Sequence, residues 1–200
     1  MRQREPPALR LKSLCGFADQ RVGNSALDSS RLGAVRTPLR SAPTVAGIGS
    51  GLAAHGWQVT AVDFAATALA HGRSTAAALG HGVAERIVWI EADLATWAAL
   101  PDHYDLVVCL YVHAAGSVDE MVRRMASGVA RGGTLFMVGH RSVDRATGAA
   151  TAAAGQVRVS VEAATAALDP RSWEVVVAEE RPRAAAGSGA DAVIRARRRY

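Results

Sequence analysis

Four short apolar runs each end in a residue that could take part in chemistry. They are "VTAVD", "IEAD", "YDLVVC" and "TLFMVGH", which end at Asp63, Asp93, Cys109 and His140. A carboxylate at the end of a strand can accept hydrogen bonds from both hydroxyls of a ribose, and a second carboxylate with the next backbone N–H can bind an adenine edge. The pattern therefore predicts a nucleotide site formed by Asp63 and by Asp93 with Leu94.

Residues beside these ends extend the predicted site. Phe64 follows the first acid and could pack on an adenine, although a lone aromatic residue is more often part of a core. Cys109, Leu110 and Tyr111 end the third run, beside the place where a reacting group would lie. His113 follows them and is the first candidate for a general base, ahead of the histidine that ends the fourth run. A packed or solvated histidine is the structural alternative for both.

The residues that could do chemistry lie in a chain in which apolar strands alternate with helices. Strands are predicted in "WQVTAVDF", "RIVWIEADL", "YDLVVCLYVH" and "GTLFMVGH", because each is short and rich in β-branched or apolar residues. The last two strands, "WEVVVAEERPR" and "DAVIRARRR", have no helix between them and predict a hairpin. The fold class is therefore α/β, with a Rossmann-like, doubly wound, mostly parallel sheet and an antiparallel C-terminal hairpin. Ligands bind at the carboxyl ends of the strands in such sheets.

Two helices have predictable ends. The helix after "YDLVVCLYVH" is predicted to begin at Ser117, because Glu120 three residues on completes a capping box. Gly132 and Gly133 are predicted to end this helix, and the alanine-rich helix "AATALAHGRSTAAALG" is predicted to end near Gly80. The apolar stripe of the capped helix consists of Met121, Val122, Met125 and Val129.

The composition excludes several classes of protein. At 200 residues and 50% hydrophobic, the chain can bury one core, and no apolar run approaches the roughly 18 residues of a membrane span. No signal-peptide pattern is present. Cys15 and Cys109 form neither a metal-ligand spacing nor a disulfide framework, so we expect no metal and a reducing, cytoplasmic location.

The net charge of +5 is concentrated in the first part of the chain. Residues 1–40 hold eight Lys and Arg against three Asp and Glu, and the other 160 residues hold fifteen of each sign. The excess charge therefore does not predict a nucleic-acid partner for the folded domain. Residues 1–44 also lack helical or strand periodicity, so we expect an irregular, poorly ordered and dispensable segment there, followed by one domain over residues 45–200.

The order of these segments resembles the class I S-adenosylmethionine-dependent methyltransferases, in particular the small methyltransferase-domain proteins similar to the tellurite-resistance and thiopurine types. The resemblance covers about Gly56 to Arg199, and its most specific part is "HYDLVVCLYVHAAGSVDEMVRRMASGVARGGTLFMVGH". It implies the strand order 3-2-1-4-5-7-6, S-adenosyl-L-methionine as cofactor, and methyl transfer to a small-molecule acceptor. It also implies ribose binding by Asp63, adenine contacts from Asp93–Leu94, and Cys109–Tyr111 beneath the methyl donor.

The glycines Gly47, Gly49 and Gly51 are the candidate cofactor loop, and they depart from the family pattern. In the family, a strand ends in an acid, and a G-x-G-x-G loop then leads into a helix that reaches "LAAHGW". Counted back from Trp57, the three glycines lie inside that helix, where each costs up to about 1 kcal/mol. The loop positions, residues 42–46, hold no glycine. We therefore expect the domain to be incomplete at its first strand and helix.

Two explanations of this departure are open. A reading-frame change just before Leu52 would remove the first strand and loop of the family, and it would also explain the composition of residues 1–44. A divergent but native N-terminus is the alternative.

Two other function classes are open as well. A nicotinamide-dependent dehydrogenase would use Asp63 in the same way, but the chain lacks G-x-G-x-x-G and carries the terminal hairpin. A non-catalytic methyltransferase remnant or interaction module is favoured by the altered first motif. The sequence predicts neither the acceptor nor the oligomeric state.

Overall fold

The computed structural model describes residues 45–112, 117–140, 159–182 and 190–200. Helices and strands alternate along these residues until the last two strands. The elements are α1 (Val45–Ala54), β1 (Val59–Asp63), α2 (Ala66–Ala78), α3 (His81–Ala84), β2 (Ile87–Glu91), β3 (Tyr104–Leu110), α4 (Val118–Ser127), β4 (Val129–His140), α5 (Val161–Ala166), β5 (Trp173–Pro182) and β6 (Ala190–Arg198).

The strands form two sheets whose directions match the predicted fold. β1 and β2 pair in parallel, and the second sheet has the order β3-β4-β6-β5. β3 and β4 are parallel, whereas β6 is antiparallel to both β4 and β5. The predicted Rossmann-like α/β fold with an antiparallel C-terminal hairpin is confirmed.

The two sheets share the same two apolar cores. Val62 of β1 and Val107 of β3 belong to one core, and Val59 of β1 and Val108 of β3 belong to the other. Because successive residues of a strand face opposite sides, each core covers one face of both sheets. The sheets therefore form two parts of one layer, with helices on its faces.

The order of the described strands differs at one place, between β1 and β3, from the strand order that the family resemblance implies. That order places a first strand between the strands equivalent to β1 and β3, and it connects them into one sheet. Within the described ranges, six strands are present and none lies hydrogen-bonded between β1 and β3. The chain that precedes α1 belongs to residues 1–44, so the predicted irregular segment lies outside the described residues.

The capped helix α4 begins as predicted but ends early. Ser117 Oγ accepts a hydrogen bond from the Glu120 N–H at 3.2 Å, and the helix ends at Ser127 rather than at Gly132 and Gly133. The end is fixed by tertiary contacts, because the Gly128 carbonyl accepts hydrogen bonds from the N–H groups of residues 103 and 104. The prediction for its C-terminus is wrong for that reason, and the residue predicted as the end of the apolar stripe, Val129, begins β4 instead.

Candidate functional site

The carboxyl ends of β1 and β2 bring the two predicted nucleotide-binding acids to one edge. Asp63 ends β1 opposite Glu91, which ends β2, and the N–H of Ala92 donates to the Asp63 carbonyl at 3.1 Å. Asp93 lies two residues beyond β2. Parallel pairing therefore places Asp63 and the turn that begins at Asp93 side by side.

Asp63 is buried, and only one of its two carboxylate oxygens accepts a hydrogen bond from the described residues. It has no solvent-exposed surface, and Oδ1 accepts a hydrogen bond from the Ala65 N–H at 2.8 Å. Among the described residues, no donor meets hydrogen-bond geometry at Oδ2. Burial raises the pKa of this carboxyl above 3.8, although hydrogen bonds from the backbone N–H groups of Ala65 and Phe64 oppose the shift. A buried carboxylate oxygen without a donor costs free energy, and a ribose hydroxyl would supply that donor.

The neighbouring turn, residues 93–97, is held by its own hydrogen bonds. Asp93 Oδ1 accepts from the Ala95 N–H at 2.8 Å, and the Asp93 carbonyl accepts from the N–H of Trp97 at 2.7 Å. The Leu94 side chain is buried in the core, whereas Phe64 and Asp93 are both exposed. The acid and the exposed ring therefore flank the edge at which Asp63 ends β1.

The third predicted segment ends β3 with buried side chains. Cys109 lies in one core, and Leu110 and Tyr111 lie in the other. The Tyr111 hydroxyl donates to Asp191 Oδ2 at 3.0 Å, and its backbone has a φ of 53°, which is strained for a residue with a Cβ. These side chains are packed inside the protein, so backbone groups are what the segment can offer a ligand at this edge.

Asp191 is a residue of this edge that the sequence did not reveal. It is buried near the start of β6, opposite His140 at the end of β4. Its contact with Tyr111 joins residues 80 positions apart. Only the pairing of β4 with β6 brings them together, and no local pattern in the sequence encodes that distance.

The three candidate glycines lie inside helix α1, as the count from Trp57 predicted. A residue within an α-helix donates its N–H to the carbonyl four residues earlier, so the amide groups of Gly49 and Gly51 are used by the helix. A methyl group at Gly51 would meet no atom within 4 Å, and one at Gly49 would lie 3.8 Å from Val59 Cγ1. In this structure Gly47, Gly49 and Gly51 form a helix and not a loop.

The predicted general bases cannot be located as side chains. His113 lies outside the described residues, and for His140 the structure describes only the backbone, at the end of β4. In the described ranges, no group of three or more His, Cys, Asp or Glu side chains could hold a metal ion. No helix in those ranges is long and apolar enough to cross a membrane.

Comparison with known proteins agrees with the fold just described. Residues 46–133 match the family model described as a methyltransferase domain, so the match begins inside α1 and ends within β4. No curated protein matches the chain.

Solved structures share the architecture at low identity. The N-methyltransferase NodS from Bradyrhizobium japonicum, with bound S-adenosyl-L-homocysteine, has a TM-score of 0.59 and 14% identity over 94% of this chain and 78% of its own. Magnesium protoporphyrin IX methyltransferase from Synechocystis has a TM-score of 0.62 and 14% identity over 96% of this chain and 76% of its own. A 16S rRNA adenine methyltransferase from Catenulisporales acidiphilia has a TM-score of 0.55 and 15% identity over 96% of this chain and 86% of its own.

The domain match and the shared fold agree with each other. Residues 46–133 match a methyltransferase domain, and solved methyltransferases share the fold of the chain. Both findings are consistent with the class I S-adenosylmethionine-dependent methyltransferase that the sequence predicts. The finer resemblance to the tellurite-resistance and thiopurine types remains a prediction.

Proposed function

We propose that the chain binds S-adenosyl-L-methionine at the carboxyl edge of β1, β2 and β3 and transfers its methyl group to a small-molecule acceptor. The observation that carries the proposal is Asp63, whose Oδ2 is buried without a donor at the end of β1. A ribose diol presents two hydroxyl donors to one carboxylate. The fully buried carboxylate also means that the residues over Asp63 must move before a ribose can reach it.

The remaining contacts follow from the position of the ribose. Asp93 would accept a hydrogen bond from the amino group of adenine, and the Leu94 N–H would donate to a ring nitrogen. Phe64, 64% exposed beside Asp63, would cover one face of the ring. The backbone at Cys109–Tyr111 would lie beneath the methyl donor. These proposed contacts use the sequence-derived cofactor residues outside α1.

The reactive methyl group belongs to the sulfonium of the cofactor, which an acceptor attacks in line. The protein contributes by positioning the two reactants and by excluding water. A hydroxyl acceptor would also need a general base, and His113 is our first candidate because it follows β3 by three residues. His140, at the end of β4, is the second.

A small-molecule acceptor is favoured over nucleic acid by the distribution of charge. The excess of basic residues lies in residues 1–40, and the other 160 residues carry equal numbers of both signs. A nucleic-acid substrate usually requires a basic surface on the folded domain. The named structural relatives act on different acceptors, so the shared fold leaves the acceptor open. A cytoplasmic location is part of the proposal.

A non-catalytic remnant is the second candidate, and specific observations favour it. No described strand lies between β1 and β3, and the three glycines are helical. The cofactor loop of the family would occupy that place. A nicotinamide-dependent dehydrogenase has less support, because the antiparallel β5–β6 pair follows the methyltransferase resemblance.

Isothermal calorimetry with S-adenosyl-L-homocysteine, S-adenosyl-L-methionine and NAD tests the proposal. We expect the first two to bind more tightly than NAD. Asp63→Ala should weaken their binding by about 1–3 kcal/mol, because charge-assisted hydrogen bonds to the ribose are lost. Asp119→Ala is the control, since Asp119 is in an exposed ion pair on α4. Tighter binding of NAD, or equal binding by the Asp63→Ala variant, would contradict the proposal, and binding without methyl transfer would favour the remnant.

A further inference from the structure

Arg124 of α4 reaches across to the turn that follows β2. Its Nη1 donates a hydrogen bond to the Leu94 carbonyl at 3.1 Å, although the two residues lie on separate elements. Arg124 is half-buried, and the Leu94 side chain is buried beneath the turn. A charged donor on a backbone carbonyl is among the stronger hydrogen bonds of a protein. α4 therefore fixes one of the two peptide groups that flank Leu94.

The other peptide group is fixed from inside the turn. The Asp93 carbonyl accepts hydrogen bonds from the N–H groups of Thr96, at 3.1 Å, and Trp97, at 2.7 Å. In a trans peptide the C=O and the following N–H point in opposite directions. The Leu94 N–H is therefore directed away from the interior of the turn, and no protein atom in the described ranges accepts from it.

We propose that Arg124 is a positioning residue for the adenine ring of the cofactor, acting through the Leu94 carbonyl. The inference rests on the proposed function, in which the Leu94 N–H donates to a ring nitrogen and Asp93 accepts from the amino group. Both the donor and the acceptor sit on the short segment that Arg124 and the turn hold in place. Loss of the Arg124 hydrogen bond leaves the peptide group between Leu94 and Ala95 without that donor. The Leu94 N–H and the Asp93 carboxylate are then held less firmly in the positions that distinguish adenine from other bases.

The adjacent arginine provides a matched control. Arg123 has the same side chain one position earlier, but it forms an exposed i,i+4 ion pair with Asp119 at 3.1 Å. It makes no contact with the turn among the described hydrogen bonds. Arg123→Met therefore reproduces the change of charge and helix composition without touching Leu94.

The test compares binding of S-adenosyl-L-homocysteine with that of S-inosyl-L-homocysteine, in which a carbonyl replaces the amino group and the ring nitrogen carries a proton. Asp93 and the Leu94 N–H both match adenine and both oppose hypoxanthine, so the wild-type protein should prefer the adenosine compound by at least about tenfold. Arg124→Met should reduce that ratio about three- to tenfold. Arg123→Met should leave it within about twofold. Arg124→Lys keeps a donor and a charge, so its ratio should lie between those of the two methionine variants. It replaces Arg124→Met in the test if that variant does not fold.

Two outcomes would overturn the inference. An unchanged ratio in Arg124→Met, with or without an equal loss of affinity for both compounds, would reject the role of Arg124 and leave the proposed function standing. If the wild-type protein binds neither compound, the proposed function fails and this inference fails with it.

Discussion

The two parts of the sheet differ in how completely their strands are paired. In the C-terminal part, β4 pairs with β3 and β6, and β6 lies between β4 and β5. In the N-terminal part, β1 pairs with β2 alone among the described strands, although all five residues of β1 are buried. Buried backbone groups need partners on both edges of a strand. The part that carries the predicted ribose and adenine contacts is therefore the part in which no inner strand is described.

Polar contacts follow the same division. In the C-terminal part, the Arg198 guanidinium donates both to Asp102 and to the Val129 carbonyl, which ties β6 to the start of β4. Among the described residues, the N-terminal part contains two buried polar atoms without a partner, Ser50 Oγ and Asp63 Oδ2, against Arg195 Nε in the C-terminal part. The C-terminal part carries the antiparallel hairpin that marks the fold, whereas the N-terminal part carries the proposed cofactor contacts.

The largest expected effect concerns the strand and glycine loop that the family has before the helix equivalent to α1. If the frame changed just before Leu52, another frame of the upstream gene should encode a strand that ends in Asp or Glu, followed by a G-x-G-x-G loop. Restoring that frame should tighten S-adenosyl-L-methionine binding on the order of 100-fold, because a few backbone hydrogen bonds of about 1 kcal/mol each and a helix N-terminus would line the site. Calorimetry on both proteins measures the gain.

The frame hypothesis has a clear contrary result. If no alternative frame encodes such a loop, and the 200-residue chain binds S-adenosyl-L-methionine at micromolar concentration, the divergent N-terminus is correct. Gly47, Gly49 and Gly51 would then belong to an unusual but functional site.

Gly128, in the C-terminal part of the sheet, should not tolerate a larger side chain. Gly128 has an ordinary φ of −74°, but a methyl group there would lie 2.5 Å from Ala99 Cβ and 3.3 Å from the Tyr104 ring. Ala99 is buried and has no flexible atoms with which to move aside. Gly128→Ala should therefore lower the free energy of unfolding by about 1–3 kcal/mol, measured by urea denaturation. A change smaller than about 0.5 kcal/mol would show that this part packs less tightly than the structure describes.

The order of elements was predictable from the sequence because it depends on local patterns. The apolar run before Asp63, the Ser117 capping pair and the two consecutive final strands each encode their own structure. The early end of α4 was not predictable, since it depends on the contact of Gly128 with residues 103 and 104. Likewise, Arg124 reaches Leu94 only after two separate elements pack together.

The site was predictable in the same uneven way. Asp63 could be placed at the end of its strand, because strand ends are visible as changes in polarity. Its burial and its unused oxygen are properties of the surrounding fold, so no sequence pattern reports them. Nothing in the described ranges tests the role of His113, which stays a prediction.

A smaller effect should appear in the pH dependence of stability. Burial raises the pKa of Asp63 in the folded protein above 3.8, so the folded state binds its proton more readily than the unfolded state does. The stability that Asp63 contributes is therefore complete below pH 3.8 and is lost as the pH rises through the raised pKa. A tenfold difference in proton affinity between the folded and unfolded states corresponds to about 1.4 kcal/mol of unfolding free energy.

Asp63→Asn isolates this contribution, because asparagine has the shape of the protonated acid and does not titrate. The difference in unfolding free energy between variant and wild type should move in favour of the variant as the pH rises from about 4 to about 7. Urea denaturation across that range measures it. A difference that stays constant, or one that moves in favour of the wild type, would mean that burial does not control the protonation of Asp63 in the ligand-free protein.

The smallest effect separates a helix from a loop at the candidate glycines. Gly51 lies in α1, and a methyl group there would meet no atom within 4 Å, so Gly51→Ala should stabilise the protein by up to about 1 kcal/mol through helix propensity. The same substitution at Gly128 has the opposite sign, which makes the two variants a matched pair across the parts of the sheet. Thermal denaturation and calorimetry with S-adenosyl-L-homocysteine should both be measured. If Gly51 instead served a cofactor loop that needs its freedom of backbone, Gly51→Ala would weaken ligand binding and would not raise the melting temperature.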